Sequence, residues 1–146
     1  MLTTYCGQPK NEAIMIKHRI LSLFANIGVA EAYLEELGND VVVANELDPK
    51  RAALYQKIYP KTQMVCGDIT DSTTFESIMS ISHKEGVNCI IATPPCQGMS
   101  TAGRQKKFDV RNDLFRYALK AVNELKPEYV LIENVTGFLK THVMYE

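Results

Sequence analysis

With 146 residues, 46% of them apolar and 23% charged, and a formal net charge of -1, the chain has the make-up of one soluble domain long enough to bury a core. That balance excludes a global basic field, so any nucleic-acid contact has to come from a local cluster. No run approaches a membrane span and residues 1–10 carry no apolar signal core; the four cysteines, Cys6, Cys66, Cys89 and Cys96, lack C-x-x-C or framework spacing and read as reduced thiols of a cytoplasmic protein.

Residues 1–17 are polar and aperiodic, with Gly7 and Pro9, and read as a loosely attached lead-in to a domain over 18–146. The pattern then changes. An apolar strand over 20–24 runs into the turn Ala25-Asn26-Ile27-Gly28, and a helix is predicted over 29–37, ending at Gly38. A β-branched strand over 41–45 ends on Glu46, and Asp48-Pro49 caps and opens a helix through 58 that Pro60 stops. A short strand over 63–66 closes on Gly67-Asp68, followed by a helix over 72–82 with Phe75, Ile78 and Met79 on one face and Gly86 beyond it. The fourth strand, 88–92, leads into Thr93-Pro94-Pro95-Cys96, and 98–112 is an aperiodic stretch carrying Arg104, Lys106, Lys107 and Arg111. A helix over 113–125 buries Leu114, Tyr117, Ala118, Ala121, Val122 and Leu125, Pro127 breaks it, and a fifth strand over 129–132 ends on Glu133-Asn134. Strands alternating with helices at these lengths predict an α/β fold, a doubly wound, mostly parallel sheet with helices on both faces.

In such a sheet, ligands bind beyond the carboxyl ends of the strands, where the polar residues of this chain gather. Glu46, some twenty residues after the first turn, has the position of an acid that accepts from a ribose diol. Asp68, as an acceptor, suits an exocyclic adenine amine. Alone, each acid reads more readily as a solvated strand-end residue; together with the first turn they point to a nucleoside cofactor. A dinucleotide fits less well, because Asn26, Gly28 and Glu31 stand where G-x-G-x-x-G is required and Glu31 would oppose a pyrophosphate. Cys96, behind two prolines at a strand end, reads either as a nucleophile or as a small buried hydrophobe. Glu133 reads either as a hydrogen-bond donor or general acid at a sheltered strand end, or as an acid paired with a local cation. The basic stretch 104–111 suits phosphate contact or plain solvation. His18, His83 and His142 are scattered, and no metal is expected.

Two segments name a family. T-P-P-C-Q-G-M-S at 93–100 and I-E-N-V-T-G-F-L at 132–139 stand in order with a loop and helix between them, preceded by L-S-L-F-A-N-I-G at 21–28, N-E-L-D at 45–48 and G-D-I at 67–69. From about residue 20 to 139 the chain resembles the N-terminal part of a C5-cytosine DNA methyltransferase that uses S-adenosylmethionine, with a Rossmann-like class I methyltransferase core left incomplete at its C-terminus. The resemblance implies that Phe24 packs on the adenine, that Asn26 and Gly28 form the cofactor turn, and that Glu46 with Leu47 holds the ribose. It assigns Asp68 and Ile69 to the adenine, and Pro94 with Pro95 to the pocket wall. It implies that Cys96 attacks C6 of a cytosine flipped out of DNA, that Glu133 binds or protonates N3, and that Gln97, Ser100 and Arg104 belong to a loop closing over the DNA. Three positions depart from the family: Asn26 and Val29 replace usual glycines, and Ser22 replaces a common acid. Nothing resembles the family's later arginine-containing strand, target-recognition region or C-terminal helix, so the expectation is a catalytic fragment or subunit that needs a complementary chain or self-associates. An RNA (tRNA) cytosine methyltransferase of the same architecture and a non-catalytic remnant that binds cofactor or partner are the alternatives.

Overall fold

The computed structural model describes residues 18–95 and 114–134. The strands are β1 (Arg19–Leu23), β2 (Asp40–Glu46), β3 (Gln63–Cys66), β4 (Cys89–Ala92) and β5 (Tyr129–Ile132), with helices α1 (Pro49–Ile58), α2 (Ser72–Lys84) and α3 (Leu114–Leu125). They form one sheet in the order β3-β2-β1-β4-β5, every neighbouring pair parallel. The chain therefore winds outward from β1 in one direction through β2 and β3, then returns past β1 to add β4 and β5. The reversal falls between β1 and β4, where an open α/β sheet leaves a crevice at its carboxyl edge.

Alternation along the strands divides the core. Leu21, Leu23, Val43, Ile90 and Ala92 point to the face covered by Phe75, Ile78 and Met79 of α2 and Ala118 and Ala121 of α3. On the opposite face Ala44 packs with Ala25 and Tyr55 of α1, while Ile20, Cys89 and Ile91 form a separate cluster. Buried on both faces, β1 and β4 are near-continuous apolar runs, as central parallel strands require. At the edge, β5 leaves Tyr129, Val130 and Leu131 exposed.

The helix starts follow from their caps. Asp48 accepts from the Lys50 and Arg51 N–H groups at 2.7 and 3.2 Å, with Pro49 opening α1. Those bonds, Arg51 first, lower the Asp48 pKa. Asp71 caps α2 by accepting from Thr74 N–H at 2.9 Å. The α2 helix runs two residues beyond the predicted end, and Phe115, outside the predicted apolar set of α3, is buried.

The predicted helix over 29–37 is a succession of turns instead. Its hydrogen bonds mostly span three residues, with Leu34 N–H donating to Glu31 O and Gly38 N–H to Glu35 O, both at 3.0 Å. The physical reason lies in packing: Val29, Tyr33 and Leu37, the stripe that would anchor a helix, are 75%, 71% and 64% exposed. Helices of this length depend on tertiary burial of such a stripe. What the segment buries is Glu31, 2% exposed, whose carboxylate accepts from the Ser22 hydroxyl, while Oε2 has no hydrogen-bond partner among the described residues.

Burial raises the Glu31 pKa above its ordinary value of 4.5, against the opposing hydrogen bond from Ser22. Because the folded state holds this proton more tightly than the unfolded chain does, the contribution is full below the ordinary value and is lost as pH rises through the higher folded value. Glu31→Gln keeps an acceptor for Ser22 but cannot ionise. Its stability relative to the parent chain is expected to improve as pH rises from acid to neutral, read by urea unfolding across that range. A difference that stays constant with pH, or moves the other way, refutes the assignment.

Candidate active site

The site is built on the turn that leaves β1. Phe24 and Asn26 have φ of 60° and 51° and Gly28 has 85°, so three of five consecutive residues occupy left-handed backbone. Asparagine is among the few side chains that tolerate this region readily, which accounts for Asn26. Phenylalanine does not, and its conformation costs about 1–3 kcal/mol and persists only where neighbours fix it. They do: Ala25 N–H donates to Asn45 O at 2.9 Å, Gly28 N–H to Ala25 O at 2.9 Å, and the Thr93 hydroxyl to Phe24 O at 3.1 Å. The turn is thereby tied to both neighbouring strands.

Glu46 is the centre of the arrangement. Buried at 6% exposure, its Oε2 accepts from Asn26 N–H and its Oε1 from Asp48 N–H, each at 2.9 Å. Each oxygen keeps a further lone pair for a hydroxyl group. From the same strand the buried Asn45 side chain donates to Val65 O and Gly67 O of the next strand end at 2.9 and 3.1 Å, and Gly67 N–H donates to Glu46 O at 3.0 Å. Asp68 follows, exposed, accepting from the backbone N–H and hydroxyl of Thr70.

These groups surround a cavity of about 370 Å³, of a size that takes a small-molecule ligand. Of the predicted cofactor residues, Phe24, Asn26, Glu46, Leu47, Asp68 and Ile69 line it. Two do not. Gly28 lies behind the turn against Tyr59, and Pro94 is buried in the strand end while Pro95 reaches the cavity. Asn45, Arg51, Gly67, Thr93 and Leu114 complete the wall without having been singled out as site residues. Asn45 sits in an apolar strand, where a buried amide is itself a signal; Leu114 reads only as core until α3 is placed.

At the far side, β4 and β5 run in register, Ala92 opposite Ile132, and Glu133 N–H donates to Ala92 O at 3.0 Å. Glu133 thus follows β5 directly beside Thr93. Glu133 is exposed, and among the described residues no strand stands beyond β5. Cys96, Gln97, Ser100 and Arg104 lie outside the described residues. Among the described residues no group of three His, Cys, Asp or Glu side chains stands together as a metal site, and no helix is long and apolar enough to cross a membrane.

A doubly wound parallel sheet with a ligand-sized cavity over its switch point, walled by two strand-end acids and a strained turn, has the arrangement in which open α/β sheets hold their ligands. A family model described as C-5 cytosine-specific DNA methylase matches residues 18–144, and the chain belongs to that family. It is 48% identical over 125 residues to the type II methyltransferase M1.HgaI of Avibacterium volantium, covering 82% of this chain and 35% of that protein. It is 36% identical over 119 residues to M.XorII of Xanthomonas oryzae pv. oryzae, covering 80% and 28%. The chain thus spans about a third of the length of the curated relatives it matches. Among solved structures it resembles a DNA modification methyltransferase encoded within an E. coli prophage, with a TM-score of 0.68, 28% identity and coverage of 84% of this chain and 33% of that one. It also resembles a mutant of Spodoptera frugiperda DNMT2, with a TM-score of 0.65, 28% identity and coverage of 86% and 38%.

Glu46→Gln tests the joint between turn and strand. One amide oxygen can serve only one of the two N–H groups, and the other then faces an NH2. The expected cost is about 1–3 kcal/mol, read as a lower midpoint in urea unfolding. A midpoint equal to that of the parent chain would mean that the carboxylate does not hold the turn.

Proposed function

We propose that this chain is the cofactor-binding and catalytic part of an enzyme that transfers a methyl group from S-adenosylmethionine to C5 of cytosine in DNA. The observation that carries the reading is the cavity walled by Phe24, Glu46 and Asp68 beside the β4–β5 strand ends, in a chain of the C-5 cytosine-specific DNA methylase family. The donor set suits an adenosine. Glu46 offers acceptors for the ribose hydroxyls, Asp68 an acceptor for the adenine amine, and Phe24 and Ile69 apolar surface for the ring.

S-adenosylmethionine, when bound, supplies the electrophilic methyl group. The remaining chemistry belongs to the chain. Cys96, immediately after Pro95 in the sequence, attacks C6 of a cytosine flipped out of the duplex as its thiolate, forming an S–C6 bond. Electrons of the C5–C6 double bond move toward N3, where Glu133 donates a proton or a hydrogen bond, and C5 becomes nucleophilic. After C5 is methylated, loss of its proton restores the double bond and expels the cysteine. Gln97, Ser100 and Arg104 contact the DNA around the flipped base. Activity requires the segments that the relatives carry beyond the matched third. We propose that these segments, in the same polypeptide or in a second chain, cover the exposed edge of β5.

The test uses duplex DNA containing 5-fluorocytosine, whose C5 fluorine blocks the final elimination. The chain is incubated with this DNA, S-adenosylmethionine and a second chain comprising the part of M1.HgaI outside the matched region. A covalent protein–DNA band is expected, absent for Cys96→Ala, and Glu133→Gln is expected to slow methyl transfer to ordinary cytosine by about 10²–10⁴-fold. No Cys96-dependent band under these conditions sinks the enzyme reading and leaves the non-catalytic one. Transfer to tRNA in preference to DNA would move the substrate class to RNA.

A further inference from the structure

Behind the cofactor turn, on the side away from the cavity, stands a pair of tyrosines that the functional reading does not use. Tyr55 is fully buried in α1, and Tyr59 is the residue that caps the helix, their rings 4.7 Å apart. The Tyr59 hydroxyl donates to Gly28 O at 2.6 Å. Its ring leaves no room for a side chain there: a Cβ on Gly28 would lie 2.1 Å from Tyr59 Cε2 and 3.0 Å from Tyr55 Cε2. Gly28 is thus glycine on two counts, its φ of 85° and the ring pressed against it.

Tyr59 is itself held from elsewhere. Its N–H donates to Tyr55 O at 2.8 Å, and its carbonyl accepts from Thr62 N–H at 3.2 Å and from the Gln56 side chain at 3.3 Å. Gln56 also reaches Thr62 O at 2.9 Å, and the Thr62 hydroxyl donates to Val41 O at 2.7 Å, fixing the whole α1–β3 connection to β2. None of these bonds involves the turn after β1. The anchor is therefore independent of what it anchors. Burial, and then the nearby Glu31 charge, raise the phenol pKa, so the hydroxyl remains a donor at neutral pH.

We propose that Tyr59 is a positioning residue for the cofactor turn, its hydroxyl holding Gly28 from behind so that the linked Asn26 N–H stays seated on Glu46 at the cavity wall. The chain of contacts is continuous: Tyr59 to Gly28 O, Gly28 N–H to Ala25 O, Ala25 N–H to Asn45 O, and Asn26 N–H to Glu46. Two of the turn's left-handed residues, Phe24 and Asn26, are not glycine, and such backbone persists only where its surroundings over-determine it. Without the hydroxyl the turn loses the one side-chain bond it receives from α1 among the described residues. The inference rests on the proposed cofactor site for its functional consequence and on geometry alone for the position of the turn.

Tyr59→Phe removes the hydroxyl and keeps the ring. In the parent chain and the variant, amide exchange is followed by NMR, and binding of S-adenosylhomocysteine is measured by calorimetry. The expected result is exchange at Asn26 and Gly28 accelerated several-fold with α1 amides unchanged, and S-adenosylhomocysteine bound about fivefold more weakly, the factor for one net hydrogen bond. A purely structural role would instead accelerate exchange throughout α1 and leave the affinity of the folded fraction unchanged. Parent-like exchange at Asn26 and Gly28 overturns the inference whatever the ligand does. Failure of the parent chain to bind S-adenosylhomocysteine overturns the cofactor reading, while the exchange data still decide whether Tyr59 holds the turn.

Discussion

One carboxylate joins the pieces of this site. Glu46 ends β2, receives the N–H of the turn that leaves β1, and receives the N–H of Asp48 at the start of α1. A buried carboxylate is costly without donors, and charge-assisted bonds from backbone N–H groups are the strong kind that offset the cost. The consequence is geometric. Two loops from different strands and the capped end of a helix are brought to one point, and the acceptor that orders them also faces the cavity.

That point could not lie elsewhere in the sheet. Leu23 pairs with Asn45 on one side and Ala92 on the other, and Ala92 pairs with Ile132, so the last residues of β1, β4 and β5 stand in a row with Asn45, one residue before the end of β2. Leu34, after β1, packs on one face of the sheet and α3, which follows β4, packs on the other, and the crevice lies at the reversal between β1 and β4. Small side chains let the layers close around it: Ala25, Ala44 and Ala92 are all buried within this rim. The Asn45 amide, gripping Val65 O and Gly67 O, then carries the row one strand further, to Asp68.

The strands and the capped helices were legible because their signals are local. Asp48-Pro49 and Asp71 specify helix starts by hydrogen bonds within three residues, and the apolar runs of β1 and β4 need no partner to be recognised. The acids at the strand ends followed from the same boundaries. Legibility failed where the outcome depended on distant packing. Residues 29–37 have the composition of a helix, but nothing among the described residues covers Val29, Tyr33 and Leu37, and the chain instead settles around buried Glu31. The roles of Tyr59 and Thr93 were invisible because each acts on a residue 31 or 69 positions away.

The three departures from the family pattern now have physical explanations. Asn26 takes a φ of 51°, a region that favours glycine and that asparagine tolerates, so the substitution keeps the turn at a modest energetic cost. Val29 is not among the residues with positive φ and is 75% exposed, so its position makes no demand that a β-branched side chain cannot meet. Ser22, standing where an acid is common, receives one from the other direction: the Glu31 carboxylate folds back onto its hydroxyl. Glu31, which as a sequence feature argued only against a pyrophosphate, is in the structure the buried partner of the Ser22 hydroxyl.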